Sequence, residues 1–356
     1  MAYIIDGNLY FQDGNNPFLQ LTRSGEDWRI IFFSENGEKI FFQRGITPPF
    51  ELHSINIDGS EEQTLITNIL LRTMDPSYTD LTGFHHETIV PNTHLLLFST
   101  YEPRDNNIVS WNGDLLVVDT DTAKIRKLPF HASDFFLSPD GKYIARDRIG
   151  AIDVLGLEGN IIRKNLVTYT PSQPSFLPPG IIWAPDSQGL IILLPVRTNF
   201  DLGYISEFTV WRYTLNDGKG IQIPLDIFPT EGIAGMVSPD EKWILFNNAE
   251  EHYGFYLGNL STGHAELNAP EAYMSYYWSS DSEHFIYSNG DIYLGSINSP
   301  PQLIGGDDFL GWIDANRYLY YADKNIVLGN INGSREIILA DHEFFNNPAI
   351  FTFILP

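Results

Sequence analysis

The chain contains no cysteine in its 356 residues, which excludes disulfides, thiol catalysis and thiolate metal sites. Basic residues are also scarce. Only 21 Lys and Arg stand against 45 Asp and Glu, a formal net charge of −24. No basic run occurs anywhere, so a phosphate backbone would be repelled, and neither nucleic acid nor an anionic membrane is an expected partner. The acidic excess keeps a large surface soluble, or it serves a cation or a basic protein partner. No apolar run is long enough to span a bilayer, so membrane insertion is not expected. The start, Met1-Ala2-Tyr3-Ile4-Ile5-Asp6, lacks a basic region and a long apolar stretch. No signal peptide is therefore expected there, although a chain whose export signal had been removed would look the same. Helical periodicity is missing over any useful length.

What the chain does have is apolar mass and a repeat. Hydrophobic residues make up 43%, with 24 Phe, 18 Tyr and 7 Trp, while charged residues are only 19%. That composition supplies a sizeable core and argues against disorder. Three segments announce the repeat: Leu137-Ser138-Pro139-Asp140-Gly141-Lys142, Trp183-Ala184-Pro185-Asp186-Ser187-Gln188 and Val237-Ser238-Pro239-Asp240-Glu241-Lys242. Each reads as a strand end, a tight turn and a new apolar strand. Proline sets φ there, and aspartate bonds its own backbone. Weaker copies begin at Phe33-Ser34, Val90-Pro91, Trp278-Ser279 and Trp312-Ile313. The seven turns, near residues 35, 91, 139, 185, 239, 280 and 314, are roughly 33 to 56 residues apart, a spacing that suits propeller blades.

With the strands of a blade named a to d, this turn joins a to b. A second signal marks strand c: Tyr256-Leu257-Gly258-Asn259, Tyr293-Leu294-Gly295-Ser296 and Val327-Leu328-Gly329-Asn330. Its recurring glycine implies close backbone approach or a bulge. Hairpin turns such as Asp217-Gly218 and Asn332-Gly333 lead on to strand d. The first residues read as strands b, c and d without an a. The last, Ala349–Pro356, read as an a that stops at a turn proline near 356. The expectation is all-β: a single β-propeller domain over residues 1–356, with eight blades and the C-terminal strand closing the N-terminal blade. Seven blades is the alternative.

The repeated Ser-Pro-Asp-Gly-Lys turn before an apolar strand resembles the TolB-like, WD-repeat-like β-propellers over nearly the whole chain, although only about three copies are strong. That family includes the periplasmic scaffold TolB, the propellers of prolyl-oligopeptidase-like peptidases and some lyases. The resemblance implies an extracytoplasmic location, periplasmic or secreted, with a cytoplasmic one as the alternative. The chain departs from the peptidases in lacking a Gly-x-Ser-x-Gly elbow. Fold is thus implied, and activity is not.

Long segments at the b–c and d–a connections suggest a binding face: Leu70–Thr88, Tyr101–Gly113, Thr168–Gly180, Arg197–Ser206 and Asn247–Gly254. Such loops on a rigid scaffold usually serve function. Candidate contacts are Glu102, Arg104, Asp105 and Trp111 of blade 2, Phe200, Asp201 and Tyr204 of blade 4, and His252 and Tyr253 of blade 5. Aromatics beside carboxylates and a guanidinium suit a protein hot spot or a sugar. The alternative for each is a ring folded back over its own blade. His85 and His86 join the candidates. As neighbours in a strand they face opposite sides, so a shared metal is not expected and a structural role is the stronger reading. Asp119-Thr120-Asp121-Thr122 lacks the later ligands of a calcium loop and reads as a c–d turn. The recurring turn aspartates read as structural, since a site residue should break the repeat.

The leading functional expectation is a monomeric, non-catalytic module that binds a protein or glycan partner through the long-loop face. No catalytic residue, cofactor or metal is assigned. The alternative is a hydrolase or lyase acting on carbohydrate or peptide at the channel mouth, because propellers assemble sites without linear motifs. A third is a purely architectural piece of a larger protein.

Overall fold

The computed structural model describes residues 1–339 apart from 15, 46–49, 80–81, 105–107, 111–112, 132–134, 149, 171–178, 200–204, 228, 230–235, 249–253 and 272–274. The fold is an eight-bladed β-propeller. Eight antiparallel sheets follow one another along the chain, each a meander in sequence order except that of blade 2, which carries a fifth strand. The eighth, at the N-terminus, shows three strands: Ala2–Ile5, Asn8–Phe11 and Leu19–Gln20. These are the expected b, c and d, and eight sheets decide against seven. The closing strand a expected near 349–356 lies outside the described residues.

The repeat turn forms as its residues dictate. In blade 3 the Ser138 hydroxyl donates to Asp140 at 2.7 Å and accepts from Tyr143 N–H at 2.9 Å. Lys142 N–H donates to the Asp140 carboxylate at 3.1 Å. Blade 5 repeats this with Ser238, Asp240, Lys242 and Trp243 at 2.7, 3.1 and 3.0 Å. The residue after the aspartate, or its equivalent, adopts a left-handed backbone in six blades. These are Gly37, Asn92, Gly141, Ser187, Glu241 and Ser282, with φ from 57° to 72°. Glycine and asparagine tolerate that region, and other residues resist it.

The glycine of strand c also has its reason. Gly295 pairs with Phe285 on strand b, and Gly329 with Tyr318. A Cβ on Gly295 would stand 2.1 Å from the Phe285 ring, and one on Gly329 would stand 2.3 Å from Tyr318. The ring of strand b occupies the place of the missing side chain, which is the close approach expected.

By contact the described chain forms two compact units: residues 1–137 with 156–160, and residues 138–155 with 161–339. Each keeps its core between neighbouring sheets. In the first, Phe41, Leu52, Leu71, Phe84, Leu96 and Phe98 pack between blades 1 and 2. In the second, Ile286, Leu294, Trp312, Tyr318 and Tyr320 pack between blades 6 and 7.

Three expected loops hold regular structure. The Leu70–Thr88 connection begins with a short helix, Asn68–Met74, capped by the Thr67 side chain, which accepts from Leu70 N–H. Its seven residues are too few for the periodicity of a surface helix to show, yet Leu71 is fully buried. The b–c connection of blade 2 is a ribbon in which Leu95–Arg104 pairs with Ile108–Ser110. In blade 4, Gly189–Asn199 and Ile205–Thr214 stay paired out to Asn199 and Ile205. Pairing there continues past the point where apolar alternation fades, because the ladder needs backbone partners and not a buried face. Among the described residues no helix is long and apolar enough to cross a membrane.

Candidate functional site

In the second unit the ends of successive a strands converge. Strands a run over Gly180–Trp183 in blade 4, Met236–Val237 in blade 5, Ser275–Trp278 in blade 6 and Asp308–Trp312 in blade 7. Together with Pro139 of the blade 3 turn, their ends and the turns that follow line a cleft of about 640 Å³. That size suits a small-molecule or side-chain pocket.

Its walls are aromatic: Trp183, Tyr277, Trp278, Phe309 and Trp312, with Pro139, Pro185 and Pro239 between them. Tyr277 and Phe309 lie 5.0 Å apart between centroids, from adjacent blades. Trp312 Nε1 donates to the Tyr277 carbonyl at 3.2 Å, so its indole is fixed across the blade boundary. Trp183 stacks on Tyr143 at 6.1 Å with an interplanar angle of 18°. Tyr277 is 39% exposed. Phe309 and Trp312 flank a register irregularity that places Leu310 and Gly311 on the cleft, where a Gly311 Cβ would meet nothing within 4 Å.

Among the described lining residues Glu241 is the one carboxylate. It holds the left-handed turn position at φ 57°, where Gly141 serves blade 3. For a side chain of this size the conformation costs about 1–2 kcal/mol. Ser187 and Ser282 at the equivalent positions do structural service. Their hydroxyls accept the Asp140 and Asp240 N–H bonds from the preceding blade at 3.0 and 2.9 Å. Glu241 instead pairs with Arg212 at 3.3 Å, its side chain 17% exposed against 47% for the arginine. Burial pushes the Glu241 carboxyl above its usual range against the pull of Arg212, and Asp186 and Asp240 add repulsion.

A second cleft of about 460 Å³ lies in the first unit, lined by Glu35, Lys39, Asn92, His94 and Asp121 among others. Its polar groups engage one another. Asn92 N–H donates to Glu35 at 2.8 Å, and Lys39 and His94 lie 3.4 and 3.5 Å from Asp121.

Of the residues expected at a site, Asp105, Trp111, Phe200, Asp201, Tyr204, His252 and Tyr253 lie outside the described residues. The backbone of Glu102 and Arg104 belongs to the blade 2 ribbon, and that of His85 and His86 to strand a of blade 2, Gly83–Ile89. The register of this strand against its neighbour shifts between His85 and Thr88. The side chains of these four lie outside the described residues. Their neighbour Glu87 is tied to Arg29. Asp119 accepts the Asp121 and Thr122 N–H bonds, which makes its segment the expected c–d turn. The aromatic cleft was not among the expected sites. Two signals for it stand in the repeat: tryptophan precedes the turn in blades 4, 6 and 7, where blades 3 and 5 carry Leu137 and Val237, and glutamate stands where blade 3 has glycine.

Fold and cleft together define a β-propeller that presents a concave aromatic surface. No family model and no curated protein matches the chain. Solved structures do. An oligogalacturonate lyase in complex with manganese aligns over 83% of this chain and 81% of its own, at 13% identity and a TM-score of 0.52. Dipeptidyl peptidase 4 of Porphyromonas gingivalis aligns over 88% of this chain at 12% identity and a TM-score of 0.55, and the chain spans about half (53%) of its length. TolB from Acinetobacter baumannii aligns over 83% of this chain and 77% of its own, at 13% identity and a TM-score of 0.41. The likeness to the lyase and the peptidase shows the β-propeller fold and leaves activity open.

Proposed function

We propose that this chain is a binding module whose recognition surface is the aromatic cleft of blades 3 to 7, and that its partner is a protein. The observation that carries the reading is the convergence of five aromatic side chains on one cleft. Fixed aromatic rings in a concave site supply large contact area at low entropic cost, the usual composition of an interaction hot spot. Glycosidase chemistry would call for two facing carboxyl groups. Glu241 is the one carboxylate among the described lining residues, which favours binding over hydrolysis. The rival reading is the long-loop face expected from the sequence, represented by Trp111 and Tyr204.

Peptide-display and glycan-array screening of the wild type, followed by affinity measurements on variants, tests the proposal. Tyr277→Ala and Phe309→Ala should each weaken a captured peptide by about 2 kcal/mol, roughly thirtyfold. Trp111→Ala and Tyr204→Ala should leave it unchanged. Binding that survives both cleft substitutions and falls with the loop substitutions moves the site to the loops.

A further inference from the structure

We propose that the segment bound in this cleft presents an arginine, whose side chain lies against the aromatic walls and whose guanidinium pairs with Glu241. This rests on the reading of the cleft as a protein-binding site and names what it selects.

Three observations carry it. Glu241 breaks the turn pattern at a position where a small residue would relieve the backbone, φ being 57°. The equivalent serines repay their conformation with a hydrogen bond to the preceding blade. A glutamate at that strained position points to a use for its charge. Arg212, the cation recorded beside it, pairs at 3.3 Å through Oε2 and is itself half exposed. A carboxylate offers about four acceptor sites in all, so capacity for a second donor pair remains.

The walls supply the other half of the recognition. Tyr277, Phe309, Trp278, Trp183 and Trp312 line the same cleft as Glu241. A planar guanidinium stacks on aromatic faces and matches a carboxylate bidentately, which a neutral sugar does not. An anionic ligand would meet Glu241 and a chain of net charge −24. A purely apolar one would desolvate the carboxylate while adding no donor to the one that Arg212 supplies. The arginine satisfies both the rings and the charge.

The test begins with a phage-displayed library of random dodecapeptides panned on the whole chain. Selected peptides should share an arginine, and replacing it with citrulline, its neutral isostere, should weaken binding by about tenfold or more. Glu241→Gln should weaken the arginine peptide comparably and abolish the difference from citrulline, the sign of direct pairing. Glu241→Gly should unfold at a higher temperature than wild type while losing the same discrimination, so a damaged fold cannot account for the loss. Selected peptides without arginine that still depend on Tyr277 overturn the arginine and leave the protein-binding site standing. Peptides indifferent to Tyr277→Ala and Phe309→Ala, or no selected peptide at all, overturn both.

Discussion

At the scale of single residues the turn between strands a and b shows how a short motif does structural work. The Ser138 hydroxyl donates to Asp140 and accepts from Tyr143 N–H, while the Asp140 carboxylate also accepts from Lys142 N–H. Partial burial works to raise the Asp140 carboxyl, but the Ser138 hydroxyl, Lys142 and a backbone N–H outweigh it and hold the group at about 2, against an ordinary 3.8. A carboxylate lowered in the fold contributes stability above its unfolded value, and that contribution is lost as pH falls through the folded value. Asp140→Ala should therefore cost on the order of 1 kcal/mol at neutral pH. The cost should shrink as pH drops from about 4 towards 2, as read from urea midpoints across that range. Glu241 runs the other way. Its carboxyl is raised, so ionisation in the fold opposes stability as pH climbs past the ordinary 4.5. Glu241→Gly should stabilise the chain by about 1 kcal/mol at pH 7 and by less at pH 4, because at neutral pH it removes both strain and a partly buried charge.

At the scale of elements the middle strands of blades 6 and 7 meet through a glycine and a ring. The Gly295–Phe285 and Gly329–Tyr318 pairs leave no room for a methyl group. Gly295→Ala should destabilise by about 1–3 kcal/mol through overpacking, seen as a lower urea midpoint. Phe285→Ala, which opens that space, should make Gly295→Ala nearly neutral in the double variant. The recurring Leu-Gly pair of strand c was legible because the same steric demand repeats in three blades. The Asn68–Met74 helix was not, since one buried leucine carries no period. The ribbon of blade 4 escaped notice for a related reason: Arg197, Thr198 and Asn199 are polar, and their strand character comes from pairing with Glu207, Ser206 and Ile205.

At the scale of the whole molecule the acidic excess and the cleft bear on the same partner. A net charge of −24 attracts a basic segment from a distance and repels an acidic one. The association rate of an arginine peptide should fall steeply as salt rises past about 0.15 M, where the Debye length is about 8 Å, while dissociation should change less. A rate indifferent to salt would remove long-range attraction from the account and leave only the contacts within the cleft. Seven turn motifs read along the chain correspond to seven of the eight sheets, and strands b, c and d at the N-terminus supply the remaining one.

The sequence by itself determined the turn positions of seven blades and the strand c glycine of three, and with the N-terminal strands the blade count, because each is a local requirement that the repeat brings back. Proline and aspartate shape the backbone within a few residues of themselves, and the paired strands are neighbours in the chain. Only the tertiary structure decided where the aromatic cleft lies. Trp183, Glu241, Tyr277, Phe309 and Trp312 are scattered over about 130 residues, and the tryptophans before the turns and the glutamate at 241 do not by themselves say that they meet. They line one cleft because equivalent strand ends converge, a relation between blades that no single blade encodes.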